Sequence, residues 1–227
     1  MSDVFLFAVV PYLAVALAVG GGIYRHRVLR STVTARSSQL LEGKLLFWGS
    51  VPWHHAILAI LVAHAAAALF PGAWGRLLGS PSRLYALEIA GLALGALAVL
   101  GIAMLLLRRA SLARITGPMD WVVLALLAVQ AATGLYVAFA LRWGSVWYLH
   151  TAAPWLASLA RLSPQVDRMA VLPAVVQVHA VNAFLLVGLL PLSRLMHLTS
   201  IPLSYLWRPP QVVHWRRAPA PRQEVTR

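Results

Sequence analysis

Apolar residues fill five stretches of the chain, at about 4–24, 46–70, 84–107, 119–141 and 170–196, with shorter polar segments between them. Each is longer than the ~20 residues that a helix, rising ~1.5 Å per residue, needs to cross ~30 Å of hydrocarbon. The pattern predicts an all-α integral membrane protein with five transmembrane helices. The first stretch is read as a span rather than a cleaved leader, because Met1-Ser2-Asp3 lacks a basic n-region and the apolar run is too long. No internal repeat divides the chain. Residues 1–197 are expected to form one transmembrane domain, and 198–227 a basic, proline-containing cytoplasmic tail too polar to span.

Composition agrees with the pattern. Hydrophobic residues make up 60% of the 227 positions and charged residues 11%, and the mean hydropathy is +0.76. These values do not suit a soluble domain of this length. The basic residues give the orientation. Arg25, Arg27, Arg30, Arg36, Lys44, Arg108, Arg109, Arg114, Arg194, Arg208, Arg216, Arg217, Arg222 and Arg227 fall on one side, and only Arg76, Arg83, Arg142, Arg161 and Arg168 on the other. The positive-inside rule then places the N-terminus outside and the C-terminus in the cytoplasm. The formal net charge of +13 is thus mainly a topology signal. A basic juxtamembrane tail is expected to meet lipid head groups or partner proteins, not nucleic acid.

Two absences narrow the chemistry. The chain has no cysteine, which excludes disulfides, covalent c-type haem and cysteine-ligated iron–sulfur clusters within it. Its carboxylates are Asp3, Glu42, Glu88, Asp120, Asp167 and Glu224. None lies deep in a predicted span, so a carboxylate-relay proton pump is poorly supported. Among structural features, Trp53, Trp74, Trp121, Trp143 and Trp207 lie near span ends as an interfacial belt, and Gly91, Gly95 and Gly101 are read as helix-packing positions.

Histidine carries the candidate chemistry. His54 and His64 lie in the second span, His179 and His197 in the fifth. Intramembrane histidine is costly and normally lines an ion path or binds a metal. The two spans run in opposite directions, so topology pairs His54 with His197 on the cytoplasmic side and His64 with His179 on the outer side. The 18 residues from 179 to 197 make five complete turns of a helix. Both imidazoles then face one way, whereas His55 lies about 180° from His64. The separations along the two helices are ~15 Å and ~27 Å, a mismatch that tilt or a bend at Pro191 must absorb. Such spacing suits two stacked haems and not one binuclear centre. Zinc is disfavoured because no thiolate or carboxylate completes a tetrahedral site. His26, His150 and His214 are read as surface residues.

Further signals are Ser38-Gln39-Leu40-Leu41, Leu105-Leu106-Leu107-Arg108-Arg109, and Pro191-Leu192-Ser193-Arg194-Leu195-Met196-His197 followed by Ile201-Pro202 and Tyr205-Leu206. With the histidine spacings, these make the chain resemble the gamma (cytochrome b) subunit of membrane-bound respiratory nitrate reductase along most of its length. The resemblance implies a multi-pass protein of the cell (inner, cytoplasmic) membrane that holds two haem b groups and oxidises quinol near the outer face. Electrons would then pass to a cytoplasmic iron–sulfur beta subunit and on to a molybdenum-containing alpha subunit that reduces nitrate. It implies His54 and His197 as ligands of the proximal, cytoplasmic haem, and His64 and His179 as ligands of the distal haem.

The implied quinol site departs from the family pattern. The family's lysine between the second and third spans is absent, and Arg83 is the nearest basic residue. The family's glycine before the distal-haem histidine is Ala63 here. Ala63, Arg83 and Glu88 are therefore the quinol-site candidates: Arg83 as a donor to a quinone oxygen, Glu88 as a proton acceptor. Arg108, Arg109 and Arg114 suit haem propionates, since arginine binds carboxylates bidentately. The alternatives are the cytochrome b anchor of a heterodisulfide- or sulfite-reductase-type complex and, from another class, a non-enzymatic membrane transporter.

Overall fold

Five long helices make the framework of the computed structural model, which describes residues 2–28, 44–112 and 117–199. They are α1 (Ser2–Arg27), α2 (Lys44–Leu69), α4 (Pro81–Ser111), α5 (Pro118–Ala140) and α9 (Ala174–Leu189). Short helices α3 (Pro71–Leu78), α6 (Gly144–His150), α7 (Ala152–Ala160) and α8 (Asp167–Ala170) lie between the spans. The first four long helices, and α9 together with the turn that follows it to Leu192, are long and apolar enough to cross a membrane, and no strand occurs among the described residues. Arg114, the Ser38–Leu41 motif, Ile201-Pro202, Tyr205-Leu206 and the tail beyond Thr199 lie outside the described residues.

Proline sets several boundaries. Pro81 and Pro118 stand in the first turns of α4 and α5, where a missing N–H costs nothing and the fixed φ suits a helix start. Pro11 stands inside α1 and has no N–H to offer the Phe7 carbonyl one turn back. The helix widens into a π-turn over Phe5–Val9, and the indole Nε1 of Trp155 donates to the Phe7 carbonyl at 2.9 Å instead. In a hydrocarbon surrounding, a backbone group released in this way must find a partner within the protein.

Two buried clusters hold the bundle. At one end Phe7, Trp155, Leu159, Met169 and Val176 pack together, joining the start of α1 to α7, α8 and the start of α9. Nearer the other end Trp53, Ala56, Ala98 and Ile102 join α2 to α4, with residues of α5 against them. Trp53, expected in an interfacial belt, is instead buried at 7% exposure. The reason is close backbone approach: a Cβ on Gly101 would lie 2.8 Å from the Trp53 amide nitrogen. Gly95 also meets a neighbouring helix, at Leu135, whereas Gly91 faces open space and has no packing role.

The main pairings run α2 with α4, α4 with α5, α5 with α9, and α9 with α1. Two expectations need correction. Residues 108–111 belong to the last turn of α4 rather than to a loop. The fifth span is not one continuous helix to residue 196. Its α-helix ends at Leu189 and continues as tighter 3₁₀ turns over Leu190–Leu192 and Arg194–Thr199. Pro191 causes the break, because its ring and missing N–H disrupt the preceding turn. His197 therefore lies beyond the α-helix, and five complete helical turns do not separate it from His179.

Candidate functional site

His54 and His197 meet despite that break. Their ring centres are 6.3 Å apart and their planes are inclined by 57°. One comes from α2, just after the internal Pro52, and the other from the 3₁₀ turn after α9. Metal–imidazole bonds of about 2 Å on opposite sides of one ion would separate ring centres by about 6 Å. The observed spacing fits that arrangement.

The tautomers fit as well. Nδ1 of His54 lies 2.7 Å from the Ser50 carbonyl and Nδ1 of His197 lies 2.8 Å from the Arg194 carbonyl. A carbonyl only accepts, so each Nδ1 carries the proton, and a neutral ring then keeps its lone pair on Nε2. Second-partner bonds of this kind orient metal-ligating histidines. His64 makes the same bond to Ile60 at 2.8 Å, but so does His55 to Val51 at 2.8 Å. The bond is thus a local helical habit, and only the inter-element pairing singles out His54.

His64 and His179 are placed differently. The His64 ring meets Tyr148 edge-on at 5.6 Å, and the Tyr148 hydroxyl donates to the His64 carbonyl at 3.3 Å. Burial raises the Tyr148 phenol above its ordinary pKa, which keeps it a donor. His179 is held by α5. Thr133 Oγ1 donates to the Val129 carbonyl at 2.7 Å and accepts from His179 Nδ1 at 2.9 Å. The Gln130 amide nitrogen reaches His179 Nε2 at 3.1 Å. Asn182, itself 4% exposed, donates to Gln130 Oε1 at 2.7 Å and so turns the Gln130 NH₂ toward the imidazole. Gly134 completes the cradle, since a Cβ there would lie 3.0 Å from His179 Cε1.

The remaining candidates occupy the two ends. Exposed Arg83 donates from Nε to the Leu77 carbonyl at 2.8 Å and from Nη2 to the Arg76 carbonyl at 3.3 Å, capping α3. Half-buried Glu88 accepts from the Ser145 amide at 3.1 Å, tying α4 to the start of α6. Ala63 is half-buried beside His64. At the opposite end Arg108 is buried, and Arg109 Nη1 lies 3.6 Å from Asp120 Oδ2. Tyr148, Gln130, Thr133 and Asn182 were missed in the sequence. Polar side chains inside apolar spans were the available signal for the last three.

Among the described residues no three histidine, cysteine or carboxylate side chains gather as a metal site. The His54–His197 pair would by itself offer an ion two nitrogen donors, so the remaining ligands would have to come from a bound group. The family model for the nitrate reductase gamma subunit matches residues 3–216. The nitrate reductase gamma chain of Bacillus subtilis is 32% identical over 92% of this chain and 96% of its own length. The respiratory nitrate reductase 1 gamma chain of Escherichia coli is 31% identical over 94% of this chain and 98% of its own. The nitrate reductase-like protein NarX of Mycobacterium tuberculosis is 32% identical, but this chain spans only 33% of its length. With five apolar helices and a match along nearly its whole length, the chain belongs to the nitrate reductase gamma subunit family.

Proposed function

We propose that this chain is the membrane-anchoring, diheme cytochrome b subunit of a quinol-dependent nitrate reductase, multi-pass in the cell membrane. The observation that carries the reading is the His54–His197 pair, whose ring centres lie 6.3 Å apart with each Nδ1 committed to a carbonyl. In this reading these two residues hold the inner haem and His64 and His179 the outer one. The N-terminus lies outside and the C-terminus in the cytoplasm, as the basic residues suggest.

Haem, held by these four histidines, would supply one-electron carriage rather than a site for substrate. The two-electron, two-proton oxidation of quinol therefore takes place beside the outer ligands. Arg83, a permanent cation with several N–H groups, donates to a quinone oxygen. Glu88 accepts a quinol proton on the carboxylate oxygen not used by Ser145, and Ala63 leaves room next to His64. Arg108, Arg109 and Arg114 hold propionates at the inner end. Electrons leave inward to the iron–sulfur beta subunit, which serves the molybdenum-containing alpha subunit where nitrate is reduced. Protons are released outside while electrons move inward, so charge separates without a carboxylate path through the spans.

The test is a pyridine haemochrome assay on the chain purified with its attached subunits. Two b-type haems per chain are expected. One haem, or none, would overturn the reading.

A further inference from the structure

We propose that Asp120 and Arg25 are positioning residues for His197: together they clamp the non-helical turn that presents its imidazole to His54. The inference rests on His197 being a haem ligand.

The need for a clamp follows from Pro191. Once α9 ends, no continuous ladder of helical bonds fixes the height or rotation of His197. The Arg25 guanidinium, from the last turn of α1, takes over part of that role. Its Nη1 donates to the Pro191 carbonyl at 2.7 Å and to the Ser193 carbonyl at 3.1 Å. These carbonyls sit at a helix terminus, where a cation is favoured. Within the turn the Leu195 amide donates to Ser193 Oγ at 3.2 Å. Gly21 of α1 lies so close that a Cβ on it would meet Pro191 Cγ at 2.8 Å.

Asp120 holds the other side. Its Oδ1 lies 3.2 Å from Nε of Arg194, and its Oδ2 faces Arg109 Nη1. The carboxylate is in the first turn of α5, where the helix dipole favours an anion. Its side chain is only 13% exposed, whereas that of Arg194 is 53% exposed, so solvent screens this ion pair in part and its role is to fix geometry. One carboxylate thus links the end of α4, the start of α5 and the turn. Arg194 is also the residue whose carbonyl accepts from His197 Nδ1. Fixing the Arg194 side chain fixes the backbone on which the imidazole hangs, and with it the 57° inclination to His54. An arginine serving only as a topology anchor has no reason to share a mostly buried carboxylate with a second arginine.

The test uses Asp120→Asn, Asp120→Glu and Arg25→Gln in the purified complex. The readouts are the low-spin electron paramagnetic resonance line and the midpoint potential of each haem. The inner haem is identified as the one lost in His197→Ala. Asp120→Asn and Arg25→Gln should each move the line and potential of that haem and leave the other unmoved, and Asp120→Glu should restore them in part. Equal changes at both haems, or none at either, would overturn the clamp. A second readout is independent of haem. The chain has no cysteine, so Leu198→Cys in the full chain, purified in detergent, carries a unique nitroxide label. The label should be held in the parent and become mobile in Asp120→Asn and in Arg25→Gln; unchanged mobility in both overturns the proposal. If the parent holds no haem, the ligand reading fails while the label still decides the clamp. If Asp120→Asn does not accumulate, Arg25→Gln decides through the other arm.

Discussion

Thr133 Oγ1 lies 2.9 Å from Nδ1 of His179, and its own proton points to the Val129 carbonyl, 2.7 Å away. The hydroxyl therefore accepts from the imidazole and leaves the ring lone pair on Nε2, where the Gln130 amide donates at 3.1 Å and would have to give way to an iron. An acceptor on Nδ1–H raises the basicity of a ligating histidine, which favours the oxidised metal. Thr133→Val keeps the shape and removes the acceptor. It should raise the midpoint potential of the outer haem, and Thr133→Ser should keep the parent value. A redox titration followed in the visible band checks this.

The histidine pairs should separate cleanly. His54→Ala or His197→Ala should remove one haem, and His64→Ala or His179→Ala the other, each halving the haemochrome yield. His55→Ala should retain both. Loss of the same haem from His54→Ala and His179→Ala would break the pairing.

Gly101 sets the distance between α2 and α4. A Cβ there would meet backbone atoms of Trp53 and Gly49 at 2.8–3.0 Å, which cannot swing aside as a side chain can. Overpacking of this kind costs about 1–3 kcal/mol. Gly101→Ala should lower the thermal midpoint in detergent, whereas Gly91→Ala, with open space around it, should not.

Arg83 tests the quinol site. Arg83→Ala removes a charge-assisted donor, so haem reduction by quinol should slow on the order of tenfold. Haem content and reduction by dithionite should be unchanged. Stopped-flow reduction with a soluble quinol reads the difference. An unaltered rate would leave Arg83 with only its bonds to Leu77 and Arg76.

Much of this was legible in the sequence because a bilayer imposes simple rules. Five apolar runs give the spans, and the opposite running of the second and fifth places His54 and His197 at one end. The route by which those two meet was not legible. A helix was read through Pro191 because the apolar run continues across it, and hydropathy carries no record of where hydrogen bonds stop. Trp53 was misread for a related reason: a tryptophan near a span end looks interfacial until Gly101, on another helix, makes room for it. The His179 cradle depends on Gln130, Thr133 and Asn182 facing one ring, a meeting of two helices that spacing within either does not reveal.

The turn after α9 also changes what residue spacing means in this chain. On an uninterrupted helix, the count of residues between two ligands is a ruler, and adding one would swing the second ligand by about 100°. Here the ruler stops at Leu189, and the last stretch to His197 is held from its flanks by Arg25 and Arg194. Length and register are thereby uncoupled at the inner end. A residue inserted among 192–193 has slack to be absorbed, while one inserted among 180–186 would carry the whole turn away from α2.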